Sequence, residues 1–117
     1  PMSAAEVGRR GERLALRYLR RCGYRLVCRN YRHGRHEIDL ILRDGDCLVF
    51  VEVKTRTNTA FGTPAMAVGR DKQRNLRLAA AAYLQQCRCG MAPARFDVVE
   101  VYLPEGKIQH IVNAFSG

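Results

Sequence analysis

Two apolar runs, Ile38-Asp39-Leu40-Ile41-Leu42 and Leu48-Val49-Phe50-Val51-Glu52-Val53-Lys54, flank the charged turn Arg43-Asp44-Gly45-Asp46. Asp-Gly between two such runs specifies a β-hairpin, and the second run is apolar on both faces, as a central strand requires. Three ionisable residues, Asp39, Glu52 and Lys54, interrupt it. Side chains alternate along a strand, so Glu52 and Lys54 share one face, and Glu37 and Asp39 share one face of the partner strand. An ion buried without partners costs several kcal/mol, roughly, so charge at these positions points to function.

The chain has 117 residues and is 47% hydrophobic, enough for one core and too little for two ordinary domains, so one domain over 1–117 is expected. Pro1 ahead of Met2 reads as a residue left by cloning. No run approaches the about 18 apolar residues of a membrane span, and the N-terminus lacks a signal-peptide core, so a cytoplasmic protein without a membrane partner is expected. Five cysteines, odd in number and mostly at apolar positions, suggest reduced thiols. Cys87-x-Cys89 is the one close pair, and no His pair stands at ligand spacing, so zinc is not expected.

Charge is more informative. Twenty Lys and Arg against eleven Asp and Glu give +9, and 17 of the 20 cations are Arg. A guanidinium binds phosphate oxygens in a planar, bidentate way, so the bias favours a polyanion over mere solubility. Residues 1–35 hold ten Arg and two Glu, while five of the eleven acids (Glu37, Asp39, Asp44, Asp46 and Glu52) fall between 37 and 52. An acidic spot in a basic chain suits a metal-dependent enzyme acting on phosphates.

From Ser3 to Cys22, Val7, Leu14, Ala15, Tyr18, Leu19 and Cys22 recur at helical spacing, with Gly23 as the stop. The outer face of this helix carries Arg9, Arg10, Arg13, Arg17, Arg20 and Arg21, and Gly8 and Gly11 allow a close approach. Glu12 among these arginines reads first as a surface ion-pair partner. A strand over 24–31 and the basic turn 32–36 lead into the hairpin. A short helical turn is expected over 64–68 and a helix over 71–86. A strand over 95–102 and another over 108–112 then pair as a hairpin. The order α-β-β-β-α-β-β describes an α/β fold, a mixed sheet flanked by helices. Candidate nucleic-acid contacts are Arg9 and Arg13 on the first helix, Arg35 in the basic turn, Arg56 beyond Lys54, and Lys72, Gln73 and Arg74 at the start of the second helix, where the helix dipole also attracts phosphate.

In the hairpin, Asp39 and Glu52 bring two carboxylates to one end of a sheet, with Lys54 beside them. Mg²⁺ or Mn²⁺ accepts few carboxylates and keeps its waters, so these two acids and the Val53 carbonyl suit such an ion. Lys54 is then placed to help activate water or to stabilise charge on a phosphate in the transition state.

Gly8-Arg9-Arg10-Gly11-Glu12, Glu37-Ile38-Asp39-Leu40-Ile41, Val49-Phe50-Val51-Glu52-Val53-Lys54-Thr55-Arg56, Lys72-Gln73-Arg74 and Arg95-Phe96-Asp97-Val98-Val99 follow one another in the order of the bacterial YraN family, which the chain resembles over nearly its whole length. That family resembles archaeal Holliday junction resolvases of the PD-(D/E)xK nuclease superfamily. The resemblance implies a restriction-endonuclease-like core with Asp39, Glu52 and Lys54 as catalytic residues, Glu12 joining Asp39 and Glu52 as a metal ligand, and Gln73 lining the site. It also implies a homodimer. His36 stands where family members commonly have Gly, and Gly69 replaces a hydroxyl residue that caps the second helix. The expected activity is a Mg²⁺- or Mn²⁺-dependent endonuclease on DNA, branched or partly single-stranded. The alternatives are a DNA- or RNA-binding module with a vestigial or partner-activated site, and an RNA- or ribosome-associated protein.

Overall fold

The structure, a computed structural model, describes residues 1–57 and 68–117. Its elements are α1 (Ala4–Arg21), β1 (Arg25–His33), β2 (His36–Asp44), β3 (Cys47–Arg56), α2 (Arg70–Gln86), β4 (Ala94–Tyr102) and β5 (Lys107–Phe115). The order α-β-β-β-α-β-β matches the expectation, in a mixed five-stranded sheet ordered β1-β2-β3-β4-β5. β3 is its central strand, as two apolar faces required. Neighbouring strands run antiparallel except β3 and β4, which are parallel and are joined through α2. The helical turn expected over 64–68 lies outside the described residues except for Val68, which is buried.

The helices cover opposite faces. Ala15, Leu16 and Leu19 of α1 pack on Leu40, Leu42, Val49, Val51, Val99 and Val101. Leu76, Ala79 and Ala80 of α2 pack on Ile38, Ile41, Leu48, Phe50, Phe96 and Val98. Each fully buried Val, Leu, Ile or Phe contributes about 1.5–3 kcal/mol, so these two layers are the main source of stability. The membership also exposes a break that the sequence hides. Ile38 and Leu40, two apart on β2, belong to different layers, so strict alternation fails at Asp39 between them. Alternation holds along β3, which puts Glu52, Lys54 and Arg56 on the α2 side with Phe50.

Local signals set the helix ends. Ser3 and Glu6 form a reciprocal capping box at the start of α1. Gly69 caps α2 without a side-chain bond, as a residue lacking a hydroxyl must. Of the two glycines expected to permit close approach, only Gly11 does so. A Cβ there would overlap the Thr55 side chain of β3, whereas one at Gly8 would meet nothing within 4 Å.

β4 carries two buried acids, Asp97 and Glu100, for which the sequence reading had no role. Asp97 accepts hydrogen bonds from Arg95 Nε (3.0 Å) and the Asn113 amide (2.9 Å), and its Oδ2 lies 2.7 Å from His110 Nε2. His110 Nδ1 meets the Tyr18 hydroxyl of α1 at 3.1 Å, and Arg95 also donates to Asp44 and Tyr24. This network therefore joins α1 to both hairpins. Glu100, on the other face, accepts from Arg56 Nε (2.8 Å) and the Tyr102 hydroxyl (3.3 Å). Cys87 and Cys89, expected as free thiols, are bonded to each other, the turn after α2 bringing their Cα atoms to 5.3 Å, while Cys22, Cys28 and Cys47 are free. Among the described residues no helix is long and apolar enough to cross a membrane.

Gly11→Ala forces α1 off β3 and should destabilise the fold by about 1–3 kcal/mol, while Gly8→Ala, in open space, should stabilise it by up to about 1 kcal/mol through helix propensity. Denaturant melts of the pair test this, and equal effects would refute it. Burial pulls the Asp97 carboxyl upward, but the bonds from His110, Arg95 and the Asn113 amide outweigh it, and the group ends below its usual 3.8. Its stabilisation is complete above 3.8 and disappears as pH falls through the lower folded value. Asp97→Asn should cost about 3 kcal/mol at neutral pH, with the gap to wild type shrinking in acid. A gap constant with pH would contradict this.

Candidate functional site

The β2–β3 ladder runs from Asp44 opposite Cys47 to Leu40 opposite Val51, and there it ends. One more step in that register would set Asp39 opposite Glu52. Instead Asp39 Oδ2 accepts the Val53 amide at 2.8 Å, so a carboxylate fills the place of a backbone acceptor where the strands part. On β1, Asn30 stands between Arg29, paired with Leu40, and Tyr31, paired with Ile38, and adopts φ 51°. Cys28 and Tyr31 pack on the same layer although three apart, so β1 breaks phase where β2 does. Asn tolerates the left-handed region better than other non-glycine residues, which explains its presence in this strand.

Four acids converge on the break. Burial, followed by the Glu52 charge, pushes the Asp39 carboxyl up to about 8, with Glu12 adding to the repulsion and the Val53 amide opposing it. The Glu12 carboxyl is also raised, by burial first and then by Glu37, with Glu52 a weaker contributor, against a hydrogen bond from Asn30 and the charge of Arg29. Glu12 comes from α1 and Glu52 faces α2, and the parting of β2 from β3 is what lets them sense one another across the sheet.

The structure therefore brings Asp39, Glu52 and Glu12 into one neighbourhood. It does not close them into a ready cage: among the described residues no group of three His, Cys, Asp or Glu side chains is set to hold a metal ion. The donor chemistry still fits one class of ion. Asp39 and Glu52 offer hard oxygen donors, and a divalent cation would displace the proton that burial and the Glu52 charge otherwise leave on Asp39, which suits Mg²⁺ or Mn²⁺, ions that take one or two carboxylates and retain water. Glu52 is meanwhile neutralised by Lys72 of α2, whose Nζ lies 3.4 Å from Oε2.

The other expected site residues divide. Lys54 is half-buried on the Glu52 side of β3, beside Glu100 of β4 in the parallel register, and makes no ion pair with a described residue. Arg9 and Arg13 line a cavity of about 220 Å³ with Glu12, Leu16, Arg29, Asn30 and Leu40. That volume is the share of about seven waters, enough for a hydrated cation or a phosphate. Arg35 and Arg74 are exposed. Arg56 is held by Glu100, and the Gln73 side-chain amide donates to the Val68 carbonyl at 2.7 Å. Both of these have structural duties within the fold. Asn30, Arg29 and Glu37 belong to the site although the sequence reading did not place them there. The only sequence signal for Asn30 was an Asn inside an otherwise alternating strand.

Residues 11–101, from the glycine beside Glu12 through the strand with the buried acids, match the sequence profile described as "Uncharacterised protein family UPF0102". The chain belongs to the UPF0102 family. This is the YraN family whose motifs the chain carries. A UPF0102 protein of Syntrophus aciditrophicus is 49% identical over 111 residues, covering 93% of this chain and 87% of its own length. UPF0102 proteins of Symbiobacterium thermophilum (48%) and Rhodococcus opacus (45%) each align over 112 residues, covering 93% of this chain and 95% of their own lengths. The UPF0102 match spans Glu12, Asp39, Glu52, Lys54 and Lys72.

The raised Asp39 carboxyl carries a stability consequence. Between its ordinary 3.8 and about 8 the unfolded chain ionises while the folded chain keeps the proton, so wild type loses stability as pH rises through that window. Asn at this position cannot ionise and still accepts the Val53 amide. Asp39→Asn should therefore melt higher than wild type at pH 8, by roughly 5 °C or more, with the difference vanishing toward pH 4. Thermal melts across pH check this, and a variant less stable at pH 8 would overturn it.

Proposed function

We propose that this chain is a Mg²⁺- or Mn²⁺-dependent endonuclease acting on DNA phosphodiesters, with branched or partly single-stranded DNA as the substrate. The observation that carries this reading is the Asp39–Glu52 pair: two carboxylates forced together where β2 and β3 part, in a protein of net charge +9. A fold stabilised for its own sake would replace such a pair by apolar residues, so its retention points to chemistry. The resemblance to resolvases of the PD-(D/E)xK superfamily supports the same assignment and implies a restriction-endonuclease-like core.

In this reading Asp39 and Glu52 hold the cation, with Glu12 reaching it from α1. A bound divalent cation supplies a water of lowered pKa and neutralises charge on the scissile phosphate. The chain's own groups do the rest. Lys54 presents an ammonium to the developing phosphate charge from the same strand face as Glu52. Arg9 and Arg13 seat a phosphate at the cavity beside Glu12. Lys72 holds Glu52 until substrate and cation arrive. A homodimer suits cutting of two strands, since twofold symmetry presents two such sites.

A second reading has its own support. Lys72 already compensates Glu52, and no described group of three ligands is assembled. Both facts suit a nucleic-acid-binding module, for DNA or RNA, whose site is vestigial or is completed by a partner.

Purified protein with Mn²⁺ should cleave within a panel of branched, flapped and single-stranded DNAs, and Asp39→Asn, Glu52→Gln and Lys54→Ala should each lower the rate at least about 100-fold. Calorimetric titration with Mn²⁺ should give binding heat that Asp39→Asn abolishes. Salt-sensitive DNA binding with neither cleavage nor Mn²⁺ heat would replace the first reading by the second.

A further inference from the structure

The cavity beside Glu12 does not end there. Arg13, Leu16 and Arg29 also line a wider space of about 500 Å³ between α1 and β1, together with Arg17, Arg20 and Arg21. Its floor is the buried Leu16 and its rim is five exposed guanidinium groups. Among the described residues no aromatic or acidic side chain lines it.

Five like charges around one groove repel each other, and the fold offers them little in return beyond the attraction between Arg29 and Glu12. Among the described residues none of the five makes an ion pair or a side-chain hydrogen bond, although carboxylates elsewhere capture Arg32, Arg56, Lys72 and Arg95. The negative end of α1 accounts for Arg20 and Arg21, which stand in its last turn. It does not account for Arg13, Arg17 or Arg29. Arg13, Arg17 and Arg20 are spaced i, i+4, i+7, so they form one stripe along α1. At 1.5 Å per residue the stripe is about 10 Å long, enough to face about two or three consecutive phosphates of a nucleic-acid strand.

We propose that this groove is the docking track for a single nucleic-acid strand, held by its phosphates and led along α1 and β1 into the cavity at Glu12. The inference rests on the reading that the acidic site acts on nucleic acid, and names the route by which the strand reaches it. The groove lies between α1 and β1 and shares Arg13, Leu16 and Arg29 with the cavity at Glu12, so a strand held along it is led to that cavity. With no aromatic platform, it grips without stacking bases, so docking is independent of sequence. The route lies on the α1 side of the sheet, away from the basic start of α2, where Lys72 is already held by Glu52.

The test is binding of a labelled 12-nucleotide single-stranded DNA, without divalent cation, over a range of salt. Each phosphate contact contributes about 0.7 to the slope of log affinity against log salt. Arg17→Gln/Arg20→Gln should weaken binding at least about tenfold and flatten the slope by about 1.4. Arg88→Gln, beyond the end of α2, should change neither by more than the loss of one distant charge allows. Equal effects of the groove double variant and the Arg88 control, scaled per charge, would overturn the proposal, as would tighter binding of a blunt duplex than of the single strand. The assay needs no metal and no cleavage. A protein that binds as described but never cuts refutes the nuclease and leaves the groove; one that cuts with an unaltered salt slope in the double variant refutes the groove and leaves the nuclease.

Discussion

The hydrogen bond from the Val53 amide to the Asp39 carboxylate is the contact on which the arrangement turns. It marks where β2 stops pairing with β3, and it satisfies a backbone donor that the lost ladder would leave open. Without a side chain able to accept there, the strands would either stay paired and close the gap, or part at the cost of an unmet amide. Because they part, Glu52 on one face and Glu12 from the other meet through the sheet rather than being screened by it. The slip in β2 and the left-handed Asn30 opposite it are the backbone's accommodation of that opening.

Asp39 and Asp97 show how the same residue type is used in two ways within one sheet. Asp97 has no exposed surface, yet His110, Arg95 and the Asn113 amide hold its charge in place. Asp39 is also withdrawn from water, but its neighbours are other acids, and its proton is retained to about pH 8. The first carboxylate joins α1, β4, β5 and the first hairpin into one frame. The second is a carboxyl kept protonated by burial and its acidic neighbours, which the frame holds in position. Glu100 belongs with Asp97, since it anchors Arg56 from within the core. The division separates acids that stabilise from acids that are available for chemistry.

Much of this could be read from the chain. The Asp-Gly turn between apolar runs gave the hairpin and its central strand, and helical spacing with Ser3 and Gly23 gave α1 almost to the residue. Proximity of Asp39 to Glu52 followed from the hairpin alone. The phase break did not, because Ile38-Asp39-Leu40 is itself a perfect alternation and conceals that its two apolar members face different layers. Nor could the sequence sort its cations. Arg56 and Arg29 look alike in a basic chain, and only the fold shows that one answers a buried glutamate while the other faces an open groove. Gln73 drew attention by its neighbours, yet its amide braces the Val68 carbonyl at the start of α2.

The uneven distribution of compensated charge gives the molecule a direction. At physiological ionic strength the Debye length is about 8 Å, comparable to the length of the arginine stripe on α1. Neighbouring guanidinium fields therefore overlap before salt can screen them apart, and the groove behaves as a single multivalent pole. On the α2 side Lys72 and Arg56 are each paired with a carboxylate, Glu52 and Glu100. A polyanion of the proposed kind would feel a torque before a contact, one that favours approach to the α1 face.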